Sequence, residues 1–117
     1  MSLHFSGPES RHWTRLSCGS AGILLTPAGE RPVTMVDASR GGYKLRFDPD
    51  PDILAALSPQ PRDLHVLSLD DRRFASSVLW VRGDLAGCRF QLHLSLDDIA
   101  LLMTKEFRLQ PGEVVPA

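Results

Sequence analysis

The chain has 117 residues, 43% of them hydrophobic and 23% charged, enough for one soluble globular domain around a single small core. A net charge of −1 provides no global field for duplex nucleic acid or an anionic membrane, so any anion site has to be local. Nine prolines and nine glycines favour short strands and turns over long helices. Cys18 and Cys88 form no Cys-x-x-Cys pair, which excludes a disulfide framework or a zinc site of the usual spacing. No apolar run approaches the roughly 18 residues of a membrane-spanning helix, and Met1–Phe5 lacks a basic start before an apolar stretch. The cytoplasm is the expected location.

Residues 1–10 show no periodicity and are read as a flexible tail leading into Arg11. Leu16 to Thr26 is expected as a first strand, with small residues around Gly19 and Gly22 permitting a kink or bulge. After a turn at Pro27–Glu30, Arg31 to Val36 forms a second strand and the alternating run Tyr43–Phe47 a third, with Asp37-Ala38-Ser39-Arg40-Gly41-Gly42 as the turn between them. Asp48 to Asp52 carries acids at alternate positions, yet Ile53 and Pro59 stand where a calcium loop needs Gly and Glu, so it reads as a solvated loop. Ile53–Leu57 makes a short helical turn. Leu64–Leu69 is a fourth strand, Arg73 to Arg82 a fifth, and Gly83-Asp84 turns into a sixth in which Cys88, Phe90 and Leu92 alternate with polar residues. Ser95 caps a helix over about 95–107, with Ile99, Leu102, Met103 and Phe107 on one face. Residues 110–117 read as a C-terminal tail.

The hexapeptide at Asp37 offers a carboxylate, a hydroxyl and two adjacent glycines, a setting in which the backbone can take positive φ and approach a flat polar ligand closely. The plain alternative is that Asp37 and Ser39 only cap their own turn. Upstream lies Arg11-His12-Trp13-Thr14-Arg15. A turn-like segment would put both arginines on one side, whereas a fully extended one would separate them by ~13 Å. Guanidinium groups bind phosphate or the O6/N7 edge of guanine through paired hydrogen bonds and stack on bases.

Arg-x-x-x-Arg followed by Asp-x-Ser-x-x-Gly in a strand–turn–strand setting resembles the PilZ domain family, which binds the bacterial second messenger cyclic di-GMP. Val78-Leu79-Trp80-Val81-Arg82-Gly83 and Leu85-Ala86-Gly87-Cys88-Arg89-Phe90 also resemble the family's late hairpin. The resemblance implies a mainly β fold, a six-stranded antiparallel barrel of the split type with a C-terminal helix, spanning residues 11–109. It implies that Arg11 and Arg15 contact phosphate and guanine, and that Asp37 and Ser39 hold a guanine while Gly42, with Gly41, admits close approach of the backbone. Arg40 either adds to the positive field or points to solvent, and Trp13 either covers a base or is a core or rim aromatic. Many relatives carry a further arginine where this chain has Ser10, and its absence favours one ligand per site over a stacked pair.

No resident cofactor or metal is implied. The family also implies an effector protein in motility, exopolysaccharide synthesis or pilus assembly, which these residues do not name, and they leave monomer and homodimer both open. His4, His12, His65 and His93 lack metal-ligand spacing. No Gly-x-Ser-x-Gly, nucleophile–base set or phosphate-cradling Gly-x-x-x-x-Gly-Lys loop is present, so the chain is not expected to be an enzyme. The alternative within the family is a barrel that acts as an adaptor without ligand.

Overall fold

The structure, a computed structural model, describes residues 14–58 and 65–112. They form seven strands and two short helices: β1 (Leu16–Thr26), β2 (Gly29–Ser39), β3 (Gly42–Arg46), α1 (Pro51–Ala56), β4 (His65–Leu69), β5 (Arg72–Arg82), β6 (Leu85–Phe90), α2 (Leu96–Thr104) and β7 (Phe107–Pro111). The strands close into a barrel in the order β1-β2-β3-β6-β5-β4-β7. Every pairing is antiparallel except β1 with β7. The mainly β barrel expected from the sequence is the fold observed, enlarged by one strand.

That extra strand corrects the reading of the C-terminus. The helix expected to reach about residue 107 ends at Thr104, and Phe107, expected on its apolar face, instead begins β7. Phe107 lies four residues after Met103 and so fits a helical stripe, yet Phe107-Arg108-Leu109-Gln110 also alternates. Burial decides between the two periods. Phe107 and Leu109 are fully buried, and β7 supplies the pairing that both β1 and β4 would otherwise lack along one edge. Gln110 and Pro111, expected in the tail, belong to this strand, which pairs with β4. The sixth strand also stops earlier than expected, at Phe90, leaving Leu92 in a loop.

Inside the barrel, Leu24, Met35, Leu45, Leu67, Leu69, Phe107 and Leu109 pack with Leu102 of α2 and Ile53 of α1. Gly22 faces the Phe107 ring so closely that a Cβ there would overlap it. Tyr43 is buried with its hydroxyl 2.7 Å from Ser76 Oγ, and its ring lies 5.0 Å from that of Phe90. Burial pushes the Tyr43 pKa up and raises that of Cys88 to about 12.

Each helix is placed by its own cap. Ser95 Oγ accepts from Asp98 N at 3.1 Å, Asp98 pairs with Arg72 at 2.6 Å, and Ser20 Oγ donates to Leu102 O at 2.9 Å, holding α2 on β1. At α1, Asp50 Oδ1 accepts from Ile53 N at 2.8 Å and Pro51 takes the first helical position. That hydrogen bond lowers the Asp50 pKa. Asp50 and Asp52, expected to be merely solvated, bracket Arg31 at 3.4 and 3.1 Å. No described helix is long and apolar enough to cross a membrane.

Candidate functional site

Three pairings change register along their length, each by one extra residue on one strand: β1 between Ser17 and Ser20, β2 between Met35 and Asp37, and β5 between Val78 and Trp80. All three bulges adjoin one row of cross-strand partners. Ser17 pairs with Asp37, Asp37 with Lys44, Lys44 with Gly87, and Gly87 with Trp80. The consequence follows from the period of two. Counting from buried Met35, strict alternation would aim Asp37 at the core, but the extra residue Val36 shifts the phase so that Ala38 is buried and Asp37 turns outward. Counting from buried Val78 would likewise send Trp80 inward, and the extra residue Leu79 turns it out to 36% exposure.

On this row the structure brings Arg15 and Asp37 together. Arg15 Nε and Nη2 donate to Asp37 Oδ1 at 2.9 and 2.5 Å. On the other side Lys44 Nζ stands 3.7 Å from Asp37 Oδ2. The Asp37 side chain is 19% exposed and that of Arg15 46%. Arg11 and Trp13 lie outside the described residues.

The hairpin around the motif differs in detail from the sequence reading. Asp37 and Ser39 belong to β2 rather than to the turn, which is only Arg40–Gly41, since Ser39 already pairs with Gly42. Neither Gly41 nor Gly42 has positive φ; among the described glycines that conformation occurs at Gly29 and Gly83. Ser39 is buried and its hydroxyl accepts from Gly41 N at 3.2 Å, the turn-capping arrangement weighed as the plain alternative. Gly42 admits the Cys88 carbonyl of β6, which a Cβ would overlap. Arg40 does not simply point to solvent. Its Nε donates to Leu94 O at 2.7 Å while its own carbonyl accepts from Leu94 N at 2.9 Å, tying the turn to the loop before α2.

Two members of the row were missed as site residues by sequence reasoning. Lys44 is one step of alternation past the motif, and its facing Asp37 follows only from the β2 bulge. The Trp80 indole lies over Gly87, occupying the space where a side chain would stand, and the Arg82 guanidinium sits 5.7 Å from the ring. The signal that could have found both is the pair of glycines, Gly42 and Gly87, on adjacent strands. Their missing side chains let the Cys88 carbonyl and the Trp80 indole close in on β3 and β6.

The arrangement therefore offers a carboxylate with two acceptor oxygens, two cations against it and an aromatic face farther along the row. It suits a ligand that carries both hydrogen-bond donors and negative charge. Among the described residues no group of three or more His, Cys, Asp or Glu is placed to hold a metal ion. No curated protein matches the chain. The PilZ domain model matches residues 9–107, which include every strand from β1 to β6, both helices and the first residue of β7. The chain thus belongs to the PilZ domain family, whose known role is binding cyclic di-GMP and whose members are receptors and adaptors rather than catalysts.

Proposed function

We propose that this chain is a cyclic di-GMP receptor that performs no chemistry and passes the signal to a partner protein. The observation that carries the reading is the meeting of Arg15 with Asp37 on a row that bulges turn outward. A guanine presents N1–H and N2–H₂ donors that the Asp37 carboxylate can accept, while Arg15 and Arg11 supply cations for phosphate or for the O6/N7 edge. Ser39 and Gly42 shape the hairpin end of the site.

Energetics favour exchange over a static pair. Arg15 is about half exposed, and an ion pair of that kind contributes about 0–1 kcal/mol. Hydrogen bonds to a charged group contribute about 1.5–3 kcal/mol each. A guanine edge donating twice to Asp37 therefore outweighs the contact it displaces, and Arg15 is released toward phosphate. In this mechanism the ligand draws the Arg11–Arg15 segment over the β2–β3 hairpin and creates a surface for the effector, in motility, exopolysaccharide synthesis or pilus assembly.

Titration calorimetry with cyclic di-GMP tests the reading. Binding near micromolar, about −8 kcal/mol, is expected. No heat at roughly 100 μM protein would remove it, since any remaining affinity would be weaker than about −5.5 kcal/mol. The second reading, an adaptor that needs no ligand, is favoured by Leu92 and Leu96, exposed at 82% and 73% beside the turn. The same absence of heat, together with an intact fold, would select it.

A further inference from the structure

We propose that Lys44 is a third cation of this site, exchanging Asp37 for a phosphate of the bound dinucleotide. The inference rests on the receptor reading above.

Lys44 stands on the rung directly opposite Asp37, on the same outward face, and 35% of its side chain is exposed. At 3.7 Å its ammonium is an ion-pair neighbour of Asp37 Oδ2 and too far for a hydrogen bond, so its three N–H donors are not committed to that carboxylate. Arg15 differs. Both of its contacts fall on Oδ1, which leaves Lys44 as the cation next to Oδ2 among the described residues. Oδ2 is thus the oxygen that a neutral guanine N–H reaches at least cost. Once it does, the Lys44 ammonium faces a carboxylate already engaged by other donors, and a phosphate oxygen is the better partner.

Charge matching points the same way. Arg15 and Lys44 set two cations against the single carboxylate of Asp37, a surplus of one positive charge among these three groups that Lys44 supplies.

Two roles for Lys44 predict opposite signs. A lysine that only competes with ligand for Asp37 tightens binding when neutralised; one that takes up phosphate weakens it. The test is calorimetry of cyclic di-GMP against the whole chain and its Lys44→Gln, Lys44→Met, Lys44→Arg and Arg108→Gln variants, at two salt concentrations. Lys44→Gln and Lys44→Met are each expected to weaken binding about tenfold. Both should also show a shallower loss of affinity with added salt, because one screened attraction is gone. Lys44→Arg should stay within about threefold of the parent, the charge being kept. Arg108→Gln removes one positive charge from β7, on a strand away from the row, and should leave affinity unchanged. Tighter or unchanged binding by the neutral variants, or weaker binding with the parent's salt response, would overturn the proposal while leaving the receptor reading in place. A parent chain that gives no heat would overturn both.

Discussion

The two sides of the barrel obey different rules. Where β4 meets β5 and β7, and β7 meets β1, the registers run unbroken, and along β4 buried His65, Leu67 and Leu69 alternate with half-buried Val66 and Ser68. Across β1–β2, β2–β3 and β5–β6 the register breaks three times, and beside those breaks stand Asp37, Lys44 and Trp80. The regular side spends its alternation on burying Leu67, Leu69, Phe107 and Leu109. The bulged side interrupts it to present groups a core would not tolerate, since an inward Asp37 would be a buried charge at a cost of several kcal/mol. Stability and display are thereby assigned to different walls of one small barrel.

Mutations on the two walls should separate accordingly. The largest effect is expected from Phe107→Ala, which removes a fully buried ring and should cost about 3–5 kcal/mol of stability in denaturant unfolding. Gly22→Ala attacks the same contact from the other side by crowding the ring, and about 1–3 kcal/mol should be lost. On the bulged wall, Asp37→Ala and Arg15→Ala should each weaken cyclic di-GMP binding by about 1–3 kcal/mol while changing unfolding stability by less than about 1 kcal/mol. If Asp37→Ala unfolds the chain as readily as Phe107→Ala does, the division between the walls fails and the row is scaffold.

Smaller effects come from titration. Burial holds the Cys88 thiol neutral with its pKa raised to about 12, whereas an unfolded thiol ionises near about 8.5. The folded value is the higher one, so this contribution is complete below about pH 8.5 and is lost as pH rises through about 12. Cys88→Ala should therefore show a flatter alkaline decline in stability than the parent, and Cys18, less buried, should react first with a thiol reagent in the native state. Asp50 has the opposite sign. Its folded pKa is lowered by the Ile53 amide, so its contribution is complete above the ordinary value of about 3.9 and lost as pH falls through the lowered one. Asp50→Asn should blunt the acid end of the unfolding profile and leave neutral pH nearly untouched.

Much of this fold was legible in the order of residues. β1 to β6 follow from alternation and from turn signals such as Gly83-Asp84, and Ser95 announced α2. β7 escaped because Phe107 satisfies two periods at once, and only the need to close the sheet between β1 and β4 chooses between them. The site was legible as a motif and illegible as a surface. Arg15 and Asp37 could be nominated from their types and order, but a bulge leaves no mark in a period-two pattern, so Asp37 read as a turn residue and Lys44 only as part of the alternating run Tyr43–Phe47. Val36 and Leu79 look like any β-branched or aliphatic strand residue; that each is surplus to its ladder is a fact about the partner strand.

The late position of β7 has a consequence for how the molecule comes into being. A nascent chain emerging from the ribosome can assemble β2, β3, β5 and β6 into hairpins while β1 and β4 still offer unpaired edges to any neighbour. Only when Phe107 to Pro111 have cleared the exit tunnel can the gap between them be filled. For this protein, protection against aggregation waits on the last strand of the barrel to be made.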